Sequence, residues 1–534
     1  YGTEGSCTHL EEIVIGNDVK TIETEAFYAC NPITVASIKK ISLGSGIKTI
    51  EKDAFATTGA VEMVTVPSLD VWMGIDFANE AATPMWGGTF PRDKGKQAAL
   101  YVNEEKLVNL TVPEETTEIK PYTFRNCRLS SVSLPDSLTE IGVGAFSYNN
   151  FSSITIPESV QQVGDEAFAG CINLEDITLP DNLKTIGKGV FGKCTSLNYI
   201  KLSENLTSIP AASFSSCTNL SQVTLPDTVT SIGDDAFTNC TSLTNIKIPE
   251  QVTEIGTSAF SKCTSLSAIT IPDSVKTIGN NAFYGAEKLS EVQLPSNITE
   301  IGEWTFYGCS NLKKVTVPSR VTKIGTQAFA NCSALTAITL PEGVTIIANS
   351  AFSGCTELTS FTLPKQIKTI EDYTFAGCGK LSEIEIPSGI ECIGNYVFSK
   401  CTSLTKLVLP NTVQSVGEFV FSGCCALQEV NLSDQMSSVS KYAFENCTGL
   451  TKITVPEKIN LIDNYAFYGC SGLNEIVFTG NAPTIEKYAF GKVKATCYYP
   501  KGNTTYTSEI RESDFGGDLK WTYEGEEETP DLQK

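Results

Sequence analysis

The sequence predicts a strand-rich α/β solenoid of about twenty 23-residue coils, each with short parallel strands and a short helical turn. Phenylalanine recurs every 23 residues from Phe168 to Phe490, fifteen times in all. A proline follows a short apolar segment at a fixed point of most units, and a cysteine comes three residues after most of the repeated phenylalanines. A fixed period of this length is typical of arrays in which each unit buries its apolar face only against its neighbours.

The first element of each unit is a short strand. In the unit that begins at Leu220, the segment Val223-Thr224-Leu225 alternates apolar, polar and apolar, which predicts a strand with one buried face. Pro226 has no N–H to donate, so it ends the strand, and a turn follows. Thr224 and its equivalents are therefore predicted to point outward.

A second apolar patch and a bend come next. Val229 and Ile232 supply the patch, and Gly233 is expected to provide the positive φ that a tight corner requires. Residues 234–240 then predict a helical turn that Asp234 caps. Ala236, Phe237 and Cys240 fall on one face of that turn, so we expect columns of Phe and Cys along the interior.

These positions carry a family resemblance. The unit from Leu220 to Leu243 reads Leu-x-x-Val-x-Leu-Pro-x-x-Val-x-x-Ile-Gly-x-x-Ala-Phe-x-x-Cys-x-x-Leu and closely resembles the BspA-like class of leucine-rich repeats. The resemblance covers nearly the whole chain. It implies a leucine-rich-repeat solenoid on a bacterial cell-surface or secreted protein, with adhesion to host or microbial macromolecules.

The array predicts three segments. Residues 1–490 form the solenoid, 491–523 form capping strands, and 524–534 form an acidic linker or tail. The coils at 68–107 have diverged, and the part from 68 to 99 holds Trp72 and Trp86. These tryptophans are either an aromatic anchor for a partner or a private core of the diverged coil, which we favour. Residues 100–108 predict a hairpin.

The composition excludes several classes of function. A net charge of −22 opposes binding to nucleic acid, and no apolar run is long enough to cross a membrane. His9 is the single histidine, so triad catalysis and histidine-based metal sites are not expected. Acidic residues recur after the prolines, but one identical carboxylate per coil suits turns better than glycoside hydrolysis or a calcium ladder. We therefore expect no enzyme, cofactor or metal.

The nineteen cysteines follow the repeat. Sixteen of them occupy one position of the unit, where neighbouring coils bring them within range of disulfide formation. Cysteine also packs as a small buried apolar residue, and we favour free buried thiols. Cys392, Cys425 and Cys497 lie outside this position and are expected to be the more reactive thiols.

Function is predicted from the outward strand positions. An extended, weakly charged sheet suits a macromolecule, so we expect a non-catalytic, monomeric recognition scaffold that binds an extracellular protein or glycan. Threonine is also favoured on exposed strands for its β-propensity alone. The alternative is a structural spacer that presents another module, and the signal and anchor are expected outside this sequence. The candidate binding residues are Trp72, Trp86, Thr224, Lys247, Thr270, Gln293, Thr316 and Thr339.

Overall fold

Two strands per coil form the framework of the protein. The computed structural model describes residues 10–28, 38–56, 58, 61–85 and 98–523. It divides into two compact units, residues 1–266 and 267–534, and each is described by itself. In both units the coils repeat one arrangement, in which a first strand, a turn, a second strand and a corner follow in order. The predicted strand-rich solenoid of parallel coils is confirmed.

The first strand of most coils has three residues, and its central side chain is buried while the flanking ones are exposed. Gln222–Thr224 shows this pattern and ends just before Pro226, as the sequence predicts. In residues 1–266 the first strands are Glu12–Val14, Lys40–Ser42, Met63–Val66, Ala99–Val102, Asn109–Thr111, Ser131–Ser133, Ser153–Thr155, Asp176–Thr178, Tyr199–Lys201, Gln222–Thr224 and Asn245–Lys247. In residues 267–534 they are Ala268–Thr270, Glu291–Gln293, Lys314–Thr316, Ser360–Thr362, Glu383–Glu385, Lys406–Val408, Glu429–Asn431, Lys452–Val455, Glu475–Phe478, Lys494–Tyr499 and Asp518–Tyr523.

The second strand has two residues, and the apolar second one faces the core in nearly every coil. In residues 1–266 these strands are Thr21–Ile22, Thr49–Ile50, Asp76–Phe77, Glu118–Ile119, Glu140–Ile141, Gln162–Val163, Thr185–Ile186, Ser208–Ile209, Ser231–Ile232 and Glu254–Ile255. In residues 267–534 they are Thr277–Ile278, Glu300–Ile301, Lys323–Ile324, Ile346–Ile347, Thr369–Ile370, Cys392–Ile393, Ser415–Val416, Ser438–Val439, Leu461–Ile462 and Thr484–Ile485.

Strands of successive coils pair in parallel, with equivalent repeat positions side by side. Ile200 lies opposite Val223 in the first unit, and Val292 lies opposite Val315 in the second. One antiparallel pair joins Ala99–Val102 to Glu105–Lys106 through Asn103 and Glu104, whose φ angles are 50° and 67°. This pair is the hairpin predicted at residues 100–108, with the left-handed turn that matches strand twist.

The corner after the second strand is a run of tight turns and not the helical turn that the sequence predicts. Asp235 and Asn239 have φ angles of 54° and 61°, which an α-helix does not tolerate. The backbone N–H groups of Asp235, Phe237 and Asn239 donate to carbonyls of the next coil at 2.7–2.8 Å. A helix would use these N–H groups internally. The turns instead extend the hydrogen bonding between coils to this side of the protein.

Two residues of the corner act differently from the prediction. The φ of Gly233 is not positive, and a Cβ there would lie 2.6 Å from the backbone nitrogen of Ala211 in the preceding coil. Glycine is thus required for close approach of two coils. Asp234 does not cap its own turn, since its Oδ1 accepts a hydrogen bond from the N–H of Thr257 in the next coil at 2.7 Å.

The predicted column of phenylalanines fills the interior of each unit. Between Phe124 and Phe260, successive ring centroids are 5.2–5.8 Å apart and the rings lie nearly parallel. Between Phe283 and Phe490 the spacing is 5.1–5.9 Å. These rings are fully buried, and their separation is that of favourable stacked aromatic pairs. Each coil therefore obtains its core from the coils on either side.

The cysteine column contributes hydrogen bonds as well as volume. The Cys240 thiol donates to the carbonyl oxygen of Phe214 in the preceding coil at 3.1 Å, and Cys332 donates to Phe306 at 3.1 Å. The same bond recurs at 2.9–3.3 Å in other coils of both units. Each such thiol adds a second hydrogen bond to a carbonyl that already accepts from a backbone N–H of its own coil, and an alanine at this position cannot do so.

Two short α-helices occur among the described residues, Leu69–Met73 and Ser508–Glu512. The first lies in the diverged segment. The second lies between the final strands, Lys494–Tyr499 and Asp518–Tyr523, which pair in parallel over six residues. These strands lie within residues 491–523, for which the sequence predicts capping strands, and the predicted acidic tail at 524–534 falls outside the described residues.

We expect Gly233→Ala to destabilise the protein, because the added methyl group meets backbone atoms that cannot move without separating two coils. The loss in the free energy of unfolding should be about 1–3 kcal/mol, measured by denaturant unfolding. Gly343→Ala is the matched control, since the nearest atom to its Cβ is 3.8 Å away. Equal losses in the two variants would contradict this account of Gly233.

Candidate functional site

The outward side chains of the first strands form the largest predicted site. Thr224 and Lys247 lie in the first unit, and Thr270, Gln293, Thr316 and Thr339 lie in the second. All six are exposed. Gln293 pairs directly with both Thr270 and Thr316, and Thr316 forms a bridge with Thr339. The structure thus brings four of the predicted residues into one continuous row, which we call the Thr270–Thr339 row.

The Thr270–Thr339 row is uncharged and exposes hydroxyl and amide groups. Further along the second unit, the first strands carry opposite charges side by side. Lys406 contacts Glu429 at 2.9 Å, and Lys452 contacts Glu475 at 2.6 Å. Exposed pairs of this kind add little stability. The four residues of the Thr270–Thr339 row carry no charge and take part in no such pair.

Trp72 belongs to the core and not to an exposed anchor. Its side chain is fully buried, its indole Nε1–H donates to the carbonyl oxygen of Thr123 at 2.7 Å, and its ring packs against Phe77 at 5.2 Å. This position supports the private core that the sequence favours, because a buried ring cannot contact a partner. Trp86 falls outside the described residues.

The diverged segment is held against a regular coil by polar contacts. Arg125 is nearly fully buried and pairs with Glu80 at 2.6 Å, while Lys120 pairs with Asp76 at 2.6 Å. The side-chain amide of Asn126 donates to the carbonyl oxygen of Met85 at 2.7 Å. The described part of residues 68–99 is therefore docked on residues 120–126.

The thiols divide by burial. The seventeen cysteines among the described residues are free, and all are buried apart from Cys392 and Cys425. Burial raises the pKa of Cys217 to about 12, and it raises the pKa of Cys497 to about 12. The expectation that Cys497 is reactive is wrong, because its thiol is enclosed between the last strands and cannot readily ionise.

The recurrent carboxylates act within turns. The Oδ1 atom of Asp273 accepts a hydrogen bond from the N–H of Ser296 in the next coil at 2.7 Å.

No cluster of three or more metal-ligating side chains occurs in the part of the chain that the structure describes. No helix within those residues is long and apolar enough to cross a membrane. His9 lies outside them.

One surface feature escaped the sequence analysis. Six consecutive coils carry an aromatic residue two positions before the column phenylalanine, and the structure stacks these rings on the surface of the second unit. The signal was present, because these residues also recur every 23 positions. They are Tyr373, Tyr396, Phe419, Tyr442, Tyr465 and Tyr488, and we call them the aromatic stripe.

Comparison with known families identifies the repeat. The model described as "BspA type Leucine rich repeat region (6 copies)" matches residues 5–73, 97–221, 207–336, 327–449 and 391–508. The chain belongs to the BspA-type leucine-rich repeat family. Family membership and fold agree with a repeat scaffold. No curated protein sequence matches the chain.

Solved structures with similar folds include a leucine-rich repeat protein from Bacteroides ovatus, which is 26% identical with a TM-score of 0.48. That match covers 78% of this chain and 92% of the other. A leucine-rich cell-surface protein from Faecalibacterium prausnitzii is 22% identical, with a TM-score of 0.26 and coverage of 92% and 89%. A leucine-rich repeat protein from Eubacterium ventriosum is 22% identical, with a TM-score of 0.32 and coverage of 68% and 90%.

We expect Trp72→Ala to lower the free energy of unfolding by about 3–5 kcal/mol, because it empties a buried site in the diverged coil. Trp72→Phe is the control: it keeps most of the ring but loses the hydrogen bond to Thr123, and should lose about 1 kcal/mol. Hydrogen exchange should place the Trp72→Ala defect near residues 69–85 and 118–126. A fully stable Trp72→Ala protein would contradict the core assignment.

The folded BspA-type repeat should expose two reactive thiols among its described cysteines, Cys392 and Cys425. A thiolate-specific reagent at pH 8 should label these two, and all nineteen cysteines should react after unfolding. A denatured count well below nineteen would show disulfides. Double replacement of Cys392 and Cys425 by Ser should remove the native labelling and serves as the control.

Alkaline pH should destabilise the fold. Burial raises the pKa of Cys263 from its ordinary 9.0 to about 12, so the native state retains a proton that the unfolded state releases. The free energy of unfolding should therefore be independent of this group below pH 9 and fall as the pH rises toward 12. Denaturant unfolding at several pH values measures the slope, and Cys263→Ala should reduce it.

Proposed function

We propose that this BspA-type chain is a non-catalytic recognition scaffold that acts outside the cell and binds an extracellular protein or glycan through its first strands. The observation that carries the proposal is the Thr270–Thr339 row. Its four side chains are exposed and adjacent, and they make no hydrogen bond within the described residues. Hydroxyl and amide groups both donate and accept, so the row offers a ligand both functions.

The shape of this row favours a macromolecule. Parallel strands are about 4.8 Å apart, so equivalent side chains recur at that interval along the sheet. Small molecules are usually bound in concave and largely apolar pockets, which an exposed strand surface does not provide. Extended sheets of repeat proteins commonly bind long partners by many weak contacts. A location at the cell surface is part of the proposal and rests on the family to which the chain belongs.

A structural spacer is the second candidate, and the charged strands favour it. The Lys406–Glu429 and Lys452–Glu475 pairs satisfy each other across neighbouring strands. A surface that satisfies its own charges is suited to remaining unbound. The spacer would use the same fold to hold another module away from its point of attachment.

The two candidates differ in what a charged substitution does. The double variant Thr270→Arg and Thr316→Arg places two long cations on either side of Gln293, and should abolish binding to partners found by screening the full chain on immobilised matrix proteins and glycans. Because the changed positions are exposed, the melting temperature should stay within a few degrees of that of the unaltered protein.

The matched control is Thr277→Arg with Thr322→Arg, which adds the same charge at exposed positions at and beside the second strands. Binding that survives in the control and is lost in the first variant supports recognition by the first strands. The absence of any partner for the unaltered chain would favour the spacer.

A further inference from the structure

The aromatic stripe is a continuous stack of six rings on the surface of the second unit. The ring centroids of Tyr373, Tyr396 and Phe419 follow one another at 4.6 Å, and the next distances are 4.4, 4.9 and 5.4 Å toward Tyr488. Neighbouring planes differ by 5–12° except at the last step, where the angle is 27°. Tyr373 and Tyr488, at the ends, are 42% and 39% exposed.

The backbone at these positions makes the choice of aromatic residues unusual. Every member of the aromatic stripe has a φ between 54° and 60°, a conformation that bulky side chains rarely adopt. Earlier coils of the same unit place Asn281, Trp304, Gln327 and Ser350 at this position with the same φ sign, so one of these four residues is aromatic. The corner therefore does not require an aromatic ring. Stacking between the rings offsets the strain of the positive φ. Smaller polar residues build the same corner with less strain.

The stack determines what the stripe presents to a partner. Because the inner rings cover each other, their faces are not available to a partner, which can contact only the ring edges and the hydroxyl groups. The hydroxyls of the five tyrosines form no hydrogen bond within the described part of the protein. A ligand that lies along the stripe therefore meets a row of hydrogen-bond donors separated by apolar ring edges.

Charge divides the stripe into two halves. The backbone N–H of Tyr396 donates to the carbonyl oxygen of Glu418 at 2.9 Å, so Glu418 lies at the corner beside this ring. Burial, and then the charges of Tyr373, Glu418 and Glu445, raise the pKa of Tyr396. At the other end, the ammonium group of Lys487 lies 4.8 Å from the centroid of Tyr488. A partner with a basic side chain near Tyr396 would complement the acidic half.

The spacing of the rings matches one type of extended chain. Two successive steps of 4.6 Å equal the length of one turn of polyproline II helix, about 9.3 Å for three residues of about 3.1 Å rise. Polyproline II has no internal hydrogen bonds, so its carbonyl oxygens are free to accept from tyrosine hydroxyls. Side chains on one face of a β-strand recur at about 6.7 Å, so a strand matches the rings only at every third ring, where two repeats meet three steps of 4.6 Å.

We infer that the aromatic stripe binds a proline-rich peptide in the polyproline II conformation, with every third residue of the peptide facing alternate rings and a basic residue over Tyr396. Aromatic surfaces bind such peptides well because the ligand is already ordered before it binds. A sugar ring that stacks on an aromatic side chain would need an open ring face, which the inner members of the stack do not offer. The binding surface is separate from the Thr270–Thr339 row, and it does not depend on the function proposed for that row.

The test uses the full chain and a fluorescent peptide of about nine prolines with an N-terminal or C-terminal Arg, which spans about 28 Å as polyproline II. Fluorescence anisotropy should show saturable binding. Double substitution of Tyr396→Asn and Phe419→Asn should weaken it by about tenfold or more, as loss of buried aromatic contacts does. Asparagine is chosen because Asn281 has the same φ sign, so the corner is retained.

Three controls separate binding from folding. Ser350→Asn changes the same repeat position outside the stripe and should leave affinity unchanged. Tyr396→Phe keeps the stack but removes a hydroxyl, and should weaken binding if hydrogen bonding contributes. The Thr270→Arg and Thr316→Arg variant should bind the peptide normally, which distinguishes failure of this inference from failure of the function proposed for the Thr270–Thr339 row.

Several results would overturn the inference. The inference is wrong when the unaltered chain does not bind the proline peptide, when an Ala-Gly peptide with the same charge binds equally well, or when the folded double variant keeps its affinity. Binding of an oligosaccharide in place of the peptide, or self-association of the chain that the double variant abolishes, would assign the stripe to another partner and equally reject it.

Discussion

The in-register stacking of successive 23-residue coils is the constraint on which the rest of the structure depends. The regular coils that the structure describes have no core of their own, since each buried ring contacts the rings of the preceding and following coils. Register is enforced on several sides at once: by strand pairs, by the corner N–H groups, by Asp234 and its equivalents, and by thiols that donate to phenylalanine carbonyls. A shift of one residue would turn buried side chains outward on every strand.

The same constraint explains two features that would be anomalous in a globular domain. Bulky residues hold positive φ in coil after coil, because the corner must direct alternate N–H groups at the next coil. Cysteine is repeated in the core because a thiol is small enough to pack beside a phenylalanine and still donates a hydrogen bond. Neither feature indicates chemistry. Both follow from satisfying buried backbone groups where coils meet.

Function in such a scaffold resides in what the register leaves exposed. Positions that face outward are free to vary, yet the stacking arranges whatever they hold into straight rows with a fixed spacing. The Thr270–Thr339 row and the aromatic stripe are two outcomes of this rule, one polar and one aromatic. A partner recognised by either row must itself be extended, because single exposed side chains offer little energy alone.

The sequence by itself determined the period, the strand positions and the inward-facing residues such as Phe237 and Cys240, because the repeat displays the same apolar pattern many times over. It also predicted the hairpin at residues 100–108. Tertiary structure alone decided the roles of Gly233 and Asp234, the burial of Cys497, and the replacement of a helical turn by hydrogen-bonded corners. The physical reason is the same in each case, since these residues act on a neighbouring coil or strand and a local pattern does not show which atoms lie there.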